Sequence, residues 1–143
     1  MNLFQKLFGR KSEVKPAVSS ASSAPAKPQP EPLRIDEISA GELAELLQTD
    51  SPPAVIDLRQ GWEYASGHIP GAISVPINAL PLHLERIPQQ GKVVLQCYHG
   101  FSSLGAAGYL IEQGWGAENV SSLMGGMSGW VTSQGMDALA RSE

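Results

Sequence analysis

An α/β domain, built on a central parallel sheet with helices on both faces, is the fold class this sequence predicts, and three observations predict it. Short apolar runs of strand length, Ala54–Leu58, Ala72–Val75, Lys92–Gln96 and Asn119–Leu123, alternate with stretches of helical apolar spacing. Consecutive strands separated by helices need crossover connections, and crossovers make the strands parallel. The chain has 143 residues, 42% hydrophobic and 17% charged, which is enough for a single core and a tail.

The first element lies in residues 1–11. Leu3, Phe4, Leu7 and Phe8 share one helical face bordered by Lys6, Arg10 and Lys11. Gln5 and Lys6 interrupt its apolar part, so the segment is neither a signal peptide nor a membrane span. A short helix that docks on a membrane surface or a protein is one reading, and a frayed start without a role is the other. Residues 12–32 hold Pro16, Pro25, Pro28, Pro30 and Pro32 among Ser, Ala and Lys, with hardly any large apolar side chain. Such a segment buries too little surface to offset its ordering entropy and is expected to be a disordered linker.

The folded domain, residues 33–143, is expected to begin near Leu33. Ser39-Ala40-Gly41-Glu42 is a capping-box pattern, with Ile38 and Leu43 spaced as a hydrophobic staple. Leu43, Leu46 and Leu47 supply the buried face of the helix that follows, and Asp50-Ser51-Pro52-Pro53 stops it. After the strand Ala54–Leu58, the stretch Trp62 to Ser66 makes one or two helical turns. The turn Gly67-His68-Ile69-Pro70-Gly71 leads into Ala72–Val75. Leu80 to Ile87 has apolar spacing of three to four and reads as a helix with Pro81 in its first turn. Lys92 to Gln96 is the third run, a helix from Ser102 to Gln113 follows, and Asn119 to Leu123 precedes the turn Met124–Met127 and a last helical stretch.

Between the third strand and its helix lies Gln96-Cys97-Tyr98-His99-Gly100-Phe101-Ser102-Ser103, which holds the only cysteine. In an open α/β sheet, ligands bind at the carboxyl ends of strands, and a loop feeding a helix directs free backbone N–H groups inward. A thiol there favours the thiolate, the nucleophilic form. The alternative is a buried, inert cysteine at a strand end. One cysteine excludes an intramolecular disulfide and a Cys-x-x-Cys metal cluster, so a reducing, cytoplasmic setting is expected, with neither metal nor cofactor.

The net charge of −4 hides a division. Residues 1–34 carry six cations and two acids, whereas residues 35–143 carry four cations and twelve acids. An acidic body is not a nucleic-acid-binding globule; only the arm suits an anionic surface.

Three separated motifs resemble one family. They are Ile56-Asp57-Leu58-Arg59 with Glu63-Tyr64 and Gly67-His68-Ile69-Pro70-Gly71-Ala72-Ile73; the loop Cys97 to Ser103; and Val120-Ser121-Ser122-Leu123-Met124-Gly125-Gly126-Met127-Ser128-Gly129-Trp130. From Leu33 onward the chain resembles a single-domain rhodanese, a sulfurtransferase. The resemblance implies a rhodanese-like three-layer domain in which Cys97 carries sulfane sulfur as a persulfide, from a donor such as thiosulfate to a thiol or cyanide acceptor. A small sulfur donor and a thiol acceptor, a thioredoxin-like protein or glutathione, are the implied partners. Substrate binding is expected at Tyr98, His99, Gly100, Phe101, Ser102, Ser103 and Arg59. Gly100 is expected to take φ > 0 so that the loop closes.

The loop departs from many relatives in containing no Arg or Lys, so grip on an anionic donor rests on backbone amides, hydroxyls and His99. His99 is expected to shape the loop rather than move protons, and His68 to fix its turn. Arg59 either lends positive potential to the pocket or pairs with Glu63 one turn on. Trp130 reads as core or pocket wall. A cysteine phosphatase needs Cys-x5-Arg to grip phosphoryl oxygens, and Ser103 stands where that arginine belongs. A non-catalytic module, acting as tether or regulator, is the alternative function.

Overall fold

The computed structural model describes residues 34–142, and the readings of residues 1–11 and 12–32 lie outside them. Five parallel strands form one sheet: β1 (Asp36–Ile38), β2 (Ala54–Asp57), β3 (Ile73–Ser74), β4 (Val93–Gln96) and β5 (Val120–Leu123). Their order across the sheet is β1-β5-β4-β2-β3. The central strand β4 lies between β2, with Asp57 beside Gln96, and β5, with Leu95 beside Ser122. Four α-helices flank the sheet: α1 (Ala40–Leu46), α2 (Gly61–Ser66), α3 (Ser102–Glu112) and α4 (Gly126–Gln134).

Side-chain alternation along the strands feeds two cores. Ile56, Val93, Leu95 and Val120 pack on one face with Ala106, Ala107 and Leu110 of α3, and with Leu80, Ile87 and Trp115. On the other face Val55, Val94 and Leu123 meet Ala40 and Leu43 of α1, Met127 and Trp130 of α4, and Tyr64 of α2. This is the expected three-layer arrangement. Trp130 is buried in the second core and also lines a cleft of about 360 Å³ between α1 and α4. No helix among the described residues is long and apolar enough to cross a membrane.

The capping box of α1 forms as expected: Glu42 N–H donates to Ser39 Oγ, and Ser39 N–H donates to Glu42 Oε1, both at 3.1 Å. Its buried stripe differs from the expectation. Ala40, Leu43, Ala44 and Leu47 face the core, while Leu46 is 41% exposed. A helix this short presents one narrow stripe, and Leu46 lies off its edge.

Two elements also differ. Strand β1 was not expected, because Asp36 and Glu37 are polar and exposed on the sheet's edge and three residues carry no usable alternation. The stretch expected as one helix from Leu80 to Ile87 is a pair of 3₁₀ turns, Ile77–Leu82 and Leu84–Arg86. Pro81 lacks the N–H an α-helix would use and its ring opposes the preceding turn. The chain closes i to i+3 instead, as in His83 N–H to Leu80 O at 3.1 Å.

Candidate active site

β4 delivers Cys97 to the carboxyl edge of the sheet, and α3 begins five residues later. The first N–H groups of a helix have no partner within it, and a side chain at the N-cap ordinarily accepts one of them. Among the described residues no side chain caps α3; Phe101 occupies the N-cap position and is 78% exposed. Cys97 Sγ takes the place of the missing cap. Gly100 N–H donates to it at 3.1 Å and Ser103 N–H at 3.4 Å, while Ser103 Oγ lies 3.4 Å away.

These contacts decide the thiol's acidity. Burial pushes the pKa up, but the hydroxyl of Ser103 and the backbone N–H groups of Ser103, Gly100 and Ser102 together outweigh it, so the thiol sits below its ordinary value. The positive end of α3 acts in the same direction. The sulfur is nearly buried and is held by amides and one hydroxyl, with no cationic side chain in contact with it among the described residues.

The loop closes because two glycines permit it. Gly100 has φ +97°, as expected, and a Cβ there would lie 2.8 Å from Gly125 N. Gly126, with φ +56°, is the floor of the loop: a Cβ on it would fall 2.5 Å from Cys97 O and 2.7 Å from Tyr98 C. With that floor clear, Met127 N–H reaches Cys97 O at 2.8 Å and Ser128 N–H reaches Tyr98 O at 3.0 Å. Gln96 Nε2 also donates to Cys97 O at 3.0 Å. The start of α4 therefore holds the carbonyls of the loop, and the start of α3 holds its sulfur.

The expected site residues divide by position. Tyr98, His99, Phe101 and Ser102 are exposed around the loop, with the Tyr98 and His99 rings edge to face at 4.5 Å. Gly100 and Ser103 are buried. Ser103 is expected from sequence to touch substrate, yet its hydroxyl points inward, lying 2.7 Å from Ser122 Oγ on β5. Sequence reasoning singled out neither Ser122 nor the steric role of Gly126 as functional; the glycine pair was the only signal for the latter.

Arg59 does not pair with Glu63. Its Nε donates to Asp57 Oδ1 at 3.0 Å and its Nη2 to Asp57 Oδ2 at 2.7 Å, with a further bond from Nη2 to Gly67 O at 2.7 Å. Glu63 instead accepts from Gln60 N–H at 3.0 Å and caps α2. Arg59 walls a cleft of about 390 Å³ with Trp62, Tyr98, Met127 and Met136, but most of its donor capacity is spent on the buried Asp57 and the Gly67 turn. His68 is structural: its Nδ1 lies 2.7 Å from Tyr64 O, its ring stacks on Tyr64 at 3.7 Å, and its backbone bridges Ala140.

Comparison with known proteins agrees with this geometry. Residues 39–133 match the family model of the rhodanese-like domain. A sulfurtransferase of Allochromatium vinosum is 33% identical over 97 residues, covering 68% of this chain and 89% of the relative. The thiosulfate sulfurtransferase GlpE of Pseudoalteromonas translucida is 38% identical over 99 residues, with 68% and 90% covered. Among solved structures, a rhodanese-like domain protein of Staphylococcus aureus superposes with a TM-score of 0.68 at 26% identity, covering 76% of this chain and all of that one. A thiosulfate sulfurtransferase of Pseudomonas aeruginosa gives 0.65 at 32% identity, covering 86% of this chain and 22% of that one.

Proposed function

The chain belongs to the rhodanese-like domain family, and from that premise we propose that it is a sulfurtransferase that moves sulfane sulfur through a persulfide on Cys97. The observation that carries the proposal is the sulfur cradle, in which amides of Gly100 and Ser103 and the hydroxyl of Ser103 surround one thiol and lower its pKa. The names of the related sulfurtransferases support the same reaction class.

The reaction is a double displacement. Cys97 thiolate attacks the outer sulfur of a donor such as thiosulfate, the donor's S–S bond breaks, and sulfite leaves with the bonding pair. The persulfide that remains carries its negative charge on the terminal sulfur, within reach of the same preorganised donors. A thiolate or cyanide then attacks that terminal sulfur and restores the Cys97 thiolate. No net proton transfer is needed in either half, so the exposed His99 acts on the potential of the rim and not as an obligatory acid or base. The thiol acceptor is a small thiol such as glutathione or the thiol of a thioredoxin-like protein.

Steady-state transfer tests the reading. With thiosulfate or a thiosulfonate as donor and cyanide or a thiol as acceptor, the protein should turn over, and Cys97→Ser should abolish turnover. A wild-type rate equal to that of Cys97→Ser across the donor panel would instead favour the non-catalytic module.

A further inference from the structure

We propose that Ser122 is a positioning residue of the sulfur centre, whose hydroxyl donates to Ser103 Oγ and thereby turns the Ser103 hydroxyl proton onto Cys97 Sγ. The proposal rests on Cys97 as the sulfur carrier.

The chain of atoms is Cys97 Sγ, Ser103 Oγ and Ser122 Oγ, with links of 3.4 and 2.7 Å. Both serines are fully buried, and the Ser122 hydroxyl makes no other hydrogen bond among the described residues. Ser122 shares a strand face with Val120, which packs against Ala106 and Ala107 of α3 in the first core. An alanine would suit that apolar wall, whereas a hydroxyl there costs free energy unless it is paired. The structure places its partner on the first turn of α3, one link from the thiol.

Proton counting gives the chain a direction. Three atoms in a row offer two links. The thiol form brings three protons, one on sulfur and two on oxygen, so one is left without an acceptor. The thiolate form brings two, and both are used: Ser122 to Ser103, and Ser103 to sulfur. Consecutive donors polarise one another, so the outer hydroxyl strengthens the inner bond. The lowered pKa of Cys97 agrees with this direction.

The test uses the chain's single cysteine. Alkylation by iodoacetamide followed against pH reports thiolate formation at Cys97 alone, whether or not sulfur is transferred. Ser103→Ala should raise the midpoint by about one pH unit and Ser122→Ala by about half a unit, an approximately threefold loss of rate below the midpoint. In the double variant Ser122→Ala should add nothing to Ser103→Ala, since the outer hydroxyl acts only through the inner one. Ser122→Thr, which keeps a hydroxyl, should stay at the wild-type midpoint. A Ser122→Ala profile superimposed on wild type, an additive double variant, or a Ser122→Thr shift equal to that of Ser122→Ala overturns the proposal. Thermal melts of the variants separate a shifted midpoint from a loosened fold. Failure of sulfur transfer with the midpoint shifts intact removes the function reading and leaves the relay, and the reverse result does the opposite.

Discussion

Replacing Arg59 by alanine separates two roles that share one side chain. Asp57 is fully buried and the Arg59 side chain is 8% exposed, and their fork pairs at 3.0 and 2.7 Å. Among the described residues, truncation leaves a buried carboxylate with only the Arg59 backbone N–H, at 3.0 Å, as donor, and it strips Gly67 O of its bond from Nη2. Breaking a buried pair by removing one partner costs about 3–5 kcal/mol, chiefly the desolvation of the charge left behind. In a domain near 100 residues each kcal/mol moves the midpoint by several degrees, so the melting temperature should fall by roughly 10–20 °C. Differential scanning calorimetry of Arg59→Ala reads this directly. The double variant Asp57→Leu/Arg59→Met, which removes both charges, should recover most of the loss. Below the melting transition Arg59→Ala should keep most of its rate of sulfur transfer. Melting unchanged within about 4 °C, roughly 1 kcal/mol, together with loss of transfer, would show that Arg59 works on the substrate and not on the fold.

Two further outcomes follow from the loop. Gly126→Ala places a methyl 2.5 Å from Cys97 O at a positive φ, so the loop must shift. The backbone term alone is about 1–2 kcal/mol, and the displaced loop should slow Cys97 alkylation as well as lower the melting point. For pH, the Cys97 thiol lies below its ordinary value because hydrogen bonds outweigh burial, so alkylation should reach its plateau at lower pH than for a free cysteine. A group whose folded pKa is depressed favours folding once ionised, and this contribution is complete above the unfolded pKa and lost as pH falls through the folded one. The stability advantage of wild type over Cys97→Ala should therefore shrink as pH is lowered through that range, measured by urea unfolding at several pH values.

How much of this was legible in the sequence depends on the range of each interaction. The helix start at Ser39 is encoded within four residues, and both capping bonds form. The runs at 54–58 and 92–96 carry enough apolar side chains to declare buried strands, and the loop after the second of them is where α/β geometry gathers functional groups. Strand β1 is invisible for the opposite reason: an exposed edge of three residues leaves little trace in hydropathy.

In the loop after β4, the strand-end position of Cys97 and the positive φ of Gly100 were legible in the sequence, whereas the partners of Arg59 and Ser103 were not. Arg59 read either as lending potential to the pocket or, by the i to i+4 rule, as pairing with Glu63. The rule assumes a helix running through both residues, whereas Arg59 precedes α2 and folds back on Asp57 at the strand's end. Ser103 belongs to a loop whose other polar side chains are exposed, and only the pitch of α3 turns its hydroxyl inward. Ser122 is 25 positions from Cys97, and no local pattern marks a serine as the outer member of a hydrogen-bonded chain.

Intact mass of the protein after incubation with thiosulfate or a thiosulfonate, followed by removal of excess donor, tests the central claim most directly. The account predicts a gain equal to one sulfur atom, located on Cys97, absent from Cys97→Ser and discharged by a thiol or cyanide. An unchanged mass with every donor, while Cys97 remains open to alkylation, would contradict it.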